Sequence, residues 1–356
     1  MTGQPRRPTT MANIPEMEDT ELARPPVARP PSPRRAGGRL ALAKLRDLAL
    51  VPAIVAICVI GQLVNPVFLR YDNLINVLQT MSEIALLVLG QTIVLVAGRM
   101  DLSLESTFGL APGVAAYLTV TGGQGLGLLP GAWAIPVTLA VGLAIGATNA
   151  VLIVRFGLNG FIVTLGMLIV LRGLLTGISG GQTFFHLPPS MTYLGSTTWV
   201  GVPASIWICL LLFATGIVVL GFTSLGRSLY AVGGNVDAAK AAGIRTGRVL
   251  IGALVAASLL AALGGLLLSG RLASVAAAQG NGAIFTVFAA AVIGGVSLSG
   301  GRGTVFGAFT GILLLYLIQN VLTLAGVPAQ WIGALNGAII LIALVLSRIT
   351  SGRNQE

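Results

Sequence analysis

Four ionisable side chains in an otherwise apolar chain pose the chemical question. Glu83, Asp101, Glu105 and Arg172 fall inside or beside long apolar runs, where a charge is costly unless it is paired or faces a water-filled space. Glu83 and Arg172 stand at similar distances from the outer ends of their runs, which predicts that the two meet at one depth as an ion pair, with either a structural or a gating role. Gly98-Arg99-Met100-Asp101-Leu102-Ser103, with Glu105 just beyond, interrupts two short apolar runs. Two readings stand for that interruption. It exposes half-helix ends to a cavity that could recognise a polar solute, or it is a plain turn in which Asp101 and Ser103 cap the next helix.

The other reactive residue types point away from enzyme chemistry. His186 is the one histidine, on an expected outer loop with no Cys or carboxylate cluster beside it, so metal-assisted hydrolysis and a Ser/His relay both lack their main ingredient. The two lysines are Lys44 and Lys240, and neither follows a glycine, so the chain has no phosphate-cradling Gly-Lys-Ser/Thr loop. If ATP drives this protein, another chain binds it. Cys58 and Cys209 sit inside apolar runs and read as small buried side chains rather than a disulfide.

The elements that must position these residues follow from composition. With 55% hydrophobic and 9% charged residues and a mean hydropathy of +0.91, the chain is expected to be an all-α polytopic membrane protein. Runs able to cross a hydrocarbon layer of ~30 Å at ~1.5 Å per residue lie near Leu48–Leu69, Glu83–Ala97, Leu102–Val120, Leu128–Val154, Phe161–Ile178, Ile206–Phe222, Leu250–Leu268, Phe285–Leu298, Val305–Leu324 and Trp331–Leu346. That predicts about ten transmembrane helices. The 48 glycines recur at close-packing spacing, as at Gly142 and Gly146 or Gly307 and Gly311.

Lys and Arg concentrate before the first run and in alternate loops, which predicts both termini on the cytoplasmic side. The net charge of +10 needs no nucleic acid to explain it. Residues 1–46, rich in Pro and Arg, read as a disordered cytoplasmic tail, residues 47–348 as the membrane domain, and residues 349–356 as a short cytoplasmic tail. No short apolar segment with a small-residue cleavage site precedes the first span, so a removable signal peptide is not expected.

Within the membrane domain, residues 223–247 form a polar loop between two apolar runs. Asn235 suits a helix start, Asp237 its first turn, and Gly243 its far end, which predicts one short helix over Val236–Ala242. Asp237-Ala238-Ala239, followed after three residues by Gly243, is similar to the coupling motif that ABC importer permeases insert into their ATPase partners. An ordinary inter-helix loop is the alternative on this segment alone.

From about Leu48 to Arg348 the chain resembles the permease subunits of bacterial ABC importers for ribose and related simple sugars. The resemblance is carried by Gly90-Gln91-Thr92, Asp101-Leu102-Ser103, Asn159 through Met167 with Arg172-Gly173, Gly226 through Ile244, and Gly294-Gly295 with Gly300-Gly301-Arg302-Gly303. It implies a subunit of ten helices that pairs with a second permease copy, an ABC ATPase subunit that binds ATP and Mg below, and a soluble solute-binding protein above. This chain itself holds no cofactor or metal on that reading. The site is the cytoplasmic (inner) membrane of a bacterium.

Gly226, Arg227, Asn235, Asp237, Ala238, Ala239, Gly243 and Ile244 are then the expected ATPase contact. Gln91, Asp101, Ser103, Glu105, Asn159 and Thr164 are the pathway candidates. Gln182 to Trp199, with Phe184, Phe185, Tyr193 and Trp199, either receives the binding protein or forms an aromatic interface belt. Where this chain has Arg99 and Glu105 the family commonly has Gly, and it has Glu where this chain has Asp237. A proton-coupled secondary carrier for a small polar solute, with Glu83, Asp101 or Glu105 carrying the proton, is the alternative mechanism. Gly294-Gly295-Val296-Ser297-Leu298-Ser299 also faintly repeats the residues around Asp101.

Overall fold

In the computed structural model, which describes residues 50–328 and a few isolated positions outside that range, glycines and polar breaks divide the apolar sequence into helices of very unequal length. The described helices all belong to the unit Ala43–Glu356. The first half comprises α1 (Val51–Val64), α2 (Tyr71–Val96), α3 (Leu104–Thr119), α4 (Ala134–Ala150) and α5 (Gly160–Ser179). The second comprises α6 (Pro189–Ser196), α7 (Ala204–Phe222), α8 (Ser224–Gly234), α9 (Val236–Ala241), α10 (Thr246–Leu272), α11 (Ala283–Ile293) and α12 (Val305–Leu324). A 3₁₀ turn over Gly131–Trp133 leads into α4, and a π-helical stretch over Val151–Arg155 extends it. Two small antiparallel hairpins, β1 (Thr121–Gly122) with β2 (Gly125–Leu126) and β3 (Thr198–Trp199) with β4 (Val202–Pro203), close turns between helices.

Six helical segments among the described residues are long and apolar enough to cross a membrane: Tyr71–Val96, Gly131–Arg155, Gly160–Ser179, Ala204–Phe222, Thr246–Leu272 and Val305–Leu324. The chain is therefore a helical, multi-span membrane protein. The runs expected near Leu48, Leu102 and Phe285 are shorter helices of 14, 16 and 11 residues. The run Trp331–Leu346 lies largely outside the described residues, as do most of the expected tails.

α10 is the axis of the bundle. It packs against α2, α3, α4 and α6, and it does so at backbone distance, because small residues line its contact faces. A Cβ on Gly264 would come within 2.6 Å of the Glu83 carbonyl oxygen, and one on Gly265 would overlap the carbonyl of Phe108. Without a hydrophobic drive between helices in lipid, such close van der Waals contact is what holds them. The Gly142/Gly146 pair works as its spacing predicts, meeting Ala262 and Val255 of α10. Gly307 and Gly311 of α12 likewise meet Gly294 and Ala290 at the end of α11.

The chain does break where the sequence interrupts its apolar runs, at residues 97–103, and Asp101 sits at the start of the next helix. α2 is not a short run: it continues for 26 residues and ends where Ala97 leaves the helix and Gly98 turns left-handed at φ 76°. Residues 97–103 are the non-helical connection between α2 and α3, with Asp101 and Ser103 buried in it. A second non-helical stretch with buried residues is 273–282. It leaves α10, is held by paired backbone hydrogen bonds between Val275 and Phe184 (2.9 and 3.0 Å), and runs antiparallel to α3. Val275 lies near Gly113, Gln279 near Gly109, and Gly280 near Glu105. Left-handed Gly280 and Gly282, at φ 84° and 80°, then let the chain turn into the half-length helix α11.

Candidate functional site

Glu105 lies in the first turn of α3 and is buried. Its Oε1 accepts a hydrogen bond from Arg172 Nη2 at 3.0 Å, and its Oε2 accepts the backbone N–H of Ile284, in the first turn of α11, at 3.1 Å. Arg172 Nη1 also donates to the Gln279 carbonyl at 3.0 Å. The Gln279 side chain in turn donates to the carbonyls of Phe108 and Gly265 at 3.1 and 3.2 Å. One carboxylate thus joins α3, α5 and the start of a half-helix, whose unpaired N–H groups favour negative charge.

The expected Glu83–Arg172 pair does not form. Glu83 is bound by Arg271, with Nη2 to Oε2 at 2.9 Å and a second bond from Nε to Oε1. Equal depth does not bring two side chains together when they point to different sides of their helices. Arg172 is on α5, which packs on α3, whereas Arg271 is in the last turn of α10, which lies along α2. Neither Arg271 nor Gln279 stands out in the sequence, and Gln279 is followed by Gly280, Asn281 and Gly282, which look like any connection.

Asp101 and Ser103 are fully buried at the α2–α3 connection. Asp101 Oδ1 accepts the Ser103 backbone N–H at 2.9 Å and its hydroxyl at 2.6 Å, while Asn149 Nδ2 of α4 donates to Ser103 Oγ at 2.8 Å. Asp101 therefore holds the start of α3, and the Ser103 hydroxyl serves Asp101 rather than the helix end. Asp101 Oδ2, Asn149 Oδ1 and both polar atoms of the buried Gln91 side chain have no hydrogen-bond partner among the described residues. A buried amide or carboxylate oxygen left so is costly. These unsatisfied atoms are the polar capacity the pathway candidates still have to offer. Asn159 and Thr164 have less to give: Asn159 caps α5 through the N–H groups of Phe161 and Ile162, and Thr164 Oγ1 donates to Gly160 O at 2.9 Å.

The loop at residues 223–247 is more structured than expected. Its first part is also helical, as α8, and α9 spans Val236–Ala241, one residue shorter than the expected helix. Gly226 lies at the α7–α8 corner, where a Cβ would overlap the Leu220 carbonyl. Asn235 Oδ1 caps α9 by accepting from Asp237 N and Ala238 N at 3.0 and 2.9 Å. Gly243, at φ 81°, turns the chain so that Ile244 N reaches Ala239 O at 3.0 Å. Ala239 is buried, while Arg227, Asp237, Ala238, Lys240 and Gly243 are exposed.

Asn235→Ala should remove the cap and lower stability by about 1 kcal/mol. Amide exchange of the α9 backbone should rise while the rest of the chain stays protected.

The inner side of this α8–α9 platform is clamped. Gly301 N donates to Val96 O at 3.0 Å, and Tyr230 Oη of α8 donates to Gly303 O at 2.7 Å. A Cβ on Gly233 would overlap the Val96 carbonyl and lie 2.7 Å from Gly301 N, and Gly300 approaches Gly98 equally closely. The connections that follow α2 and precede α12 thus meet across α8. At the other end of α10, Phe184 is buried while Phe185, Tyr193 and Trp199 are exposed. Phe185 and His186 help line an open cavity of about 620 Å³ with Gln124, Gln182 and Thr183.

A family model described as "Branched-chain amino acid transport system / permease component" matches residues 73–344. The chain belongs to this permease family. The permease is 32% identical over 306 residues to the ribose import permease protein RbsC of Escherichia coli (strain K12), covering 85% of this chain and 93% of that one. It is 35% identical over 308 residues to the autoinducer 2 import system permease protein LsrC of Klebsiella pneumoniae subsp. pneumoniae, covering 86% and 87%. A protein of Sinorhizobium fredii named as a probable ABC transporter permease is 33% identical over 308 residues, covering 86% and 90%. No solved structure matches the permease. The relatives are transport permeases and not enzymes, and the family description and the relatives' names differ on solute.

Proposed function

We propose that this chain is the membrane-spanning subunit of an ATP-driven ABC importer and forms the translocation pathway for a simple sugar or related small polar solute. The observation that carries this reading is the α8–α9 platform: its outer face is exposed, while its inner face is locked backbone to backbone onto the connections that start α3 and α12. A push on α9 is thereby delivered to the elements that hold Glu105 and the half-helix. The resemblance to the ribose and autoinducer 2 permeases supports the solute class.

In this mechanism a second permease copy completes the pathway, and an ATPase subunit binds ATP and Mg and contacts Arg227 and Asp237 to Ile244. A solute-binding protein delivers the sugar at the end bearing Phe185, Tyr193 and Trp199. ATP binding closes the ATPases, α8 and α9 move with them, and the pathway changes the side to which it opens. Both termini lie on the cytoplasmic side of a bacterial inner membrane. Of the three carboxylates the proton-carrier alternative could use, Glu83 and Glu105 are each bonded to an arginine, which leaves that alternative only Asp101, whose Oδ2 has no hydrogen-bond partner among the described residues.

The test is uptake of labelled ribose into vesicles holding the chain with its ATPase and binding protein. ATP-dependent uptake that is abolished by Gly243→Trp, with the binding protein still docking, is the expected result. Uptake that ignores ATP and follows a proton gradient would refute the importer reading.

A further inference from the structure

Arg172 stands well inside α5, seven residues before its last residue, Ser179, or about 10 Å along the axis at the helical rise. Its side chain is 21% exposed, yet it does not reach towards the helix end: both terminal nitrogens are bonded inward, to Glu105 and to the Gln279 carbonyl. A guanidinium at that depth is not stable against hydrocarbon, so the uncovered part faces water or protein. α5 carries Gly166, Gly173 and Gly177 with open space where a Cβ would be, and it is the least buried of the long apolar helices. The exposed edge of Arg172 therefore lies on the uncovered side of α5, against water or a protein neighbour.

Two positive ends converge at that place. One is the Arg172 guanidinium, and the other is the start of α11, an 11-residue helix whose Ile284 N–H points at Glu105. Glu105 is the single acid paired with Arg172 among the described residues, and it also satisfies the helix start. Removing its charge would leave a cation and a helix N-terminus together in a space of low dielectric, where an anion is strongly attracted.

We propose that Glu105 sets the charge selectivity of the passage beside α5: by neutralising Arg172 and the start of α11, it suits the passage to neutral polyhydroxylated solutes and keeps anionic ones, such as sugar acids, from being held there. This rests on the importer reading for its solute class, but the electrostatic claim stands on Arg172, Glu105 and Ile284 alone.

The experiment reads local potential directly. Thr176, exposed one turn beyond Arg172, is replaced by cysteine in the full chain reconstituted in vesicles. The rates of its modification by an anionic and by a cationic methanethiosulfonate of similar size are compared, with the chain lacking T176C as background for Cys58 and Cys209. The anion-to-cation rate ratio should rise about tenfold or more on Glu105→Gln, the scale on which a nearby charge discriminates between ligands, and should return near its starting value in E105Q/R172Q.

An unchanged ratio in E105Q overturns the proposal, and so does an equal rise in the double variant, which would take Arg172 out of the account. No modification in any variant would show this edge of α5 closed to water and would overturn it too. Where E105Q does not accumulate, Glu105→Asp keeps the charge but withdraws it by one methylene. A smaller rise is expected there, and no rise overturns the idea. ATP-driven ribose uptake by the unaltered protein is scored separately, so loss of the importer reading and loss of this one are distinguishable.

Discussion

Gly233→Ala is expected to abolish ATP-driven uptake and to lower the stability of the permease, although it adds one methyl group. That methyl would fall on the Val96 carbonyl, with Gly301 N 2.7 Å away. Neither neighbour is the flexible end of a side chain. Both are backbone atoms joined to each other by the hydrogen bond from Gly301 to Val96, so relief requires moving α8, the end of α2 or the connection before α12. Overpacking of this kind costs about 1–3 kcal/mol when side chains can shift, and the upper part of that range or beyond is expected where only backbone can.

Gly234→Ala is the control, since nothing lies within 4 Å of its Cβ position. In a helix the same substitution is favourable by about 0.5–1 kcal/mol. Thermal unfolding in detergent and uptake in vesicles, measured on both variants, check the prediction. Equal behaviour of G233A and G234A would show that the clamp between α8 and the two connections does not exist.

The second large effect concerns Glu83 and Arg271. Breaking a buried ion pair by removing one partner is costly because the other charge is left unpaired, typically by about 3–5 kcal/mol, while removing both together is far milder. Glu83 is almost fully buried and Arg271 only partly so, and the stranded carboxylate is therefore the worse outcome. Arg271→Gln should destabilise more than Glu83→Gln, and E83Q/R271Q should recover much of the loss. The partner assignment is tested by a second cycle: E83Q with R172Q should be additive, since the two residues do not touch. Equilibrium unfolding in mixed micelles gives the coupling in each cycle. Strong coupling between Glu83 and Arg172 would contradict the structure.

The fate of these two arginines shows what could be read from the chain and what could not. That Glu83, Glu105 and Arg172 needed partners followed from the cost of charge in an apolar run, and each has one. Which partner each took depended on the direction of the side chain around its helix and on which helices lie side by side. A run of apolar residues with small hydrophobic asymmetry does not encode that direction: lipid and protein neighbours both want apolar side chains, so α5 and α10 look alike in sequence although one is mostly uncovered and the other is the axis of the bundle.

Local signals behaved differently. Asn235 and Gly243 act on the backbone within a few residues of themselves, and the structure has each where its chemistry places it, a helix cap and a left-handed turn, whereas Asn159, expected to face the pathway, caps α5. The α8 helix was missed because its apolar residues sit in a loop with five glycines, Gly226, Gly233, Gly234, Gly243 and Gly247, which read as breakers. In the fold, Gly226 and Gly233 are there because another backbone passes too close for a side chain.

The sequence by itself determined the class of protein, most of the long membrane-spanning helices though not the full length of α2, the capped helix α9, and the family, because all of these depend on composition or on residues a few positions apart. Only the tertiary structure decided that Arg271 rather than Arg172 neutralises Glu83, that a second non-helical stretch, 273–282, runs along α3, and that the connections before α3 and α12 meet across Gly233. Those outcomes turn on contacts between residues far apart in the chain, and in a bundle packed through glycine and carbonyl groups such contacts leave little trace in the identity of the residues that make them.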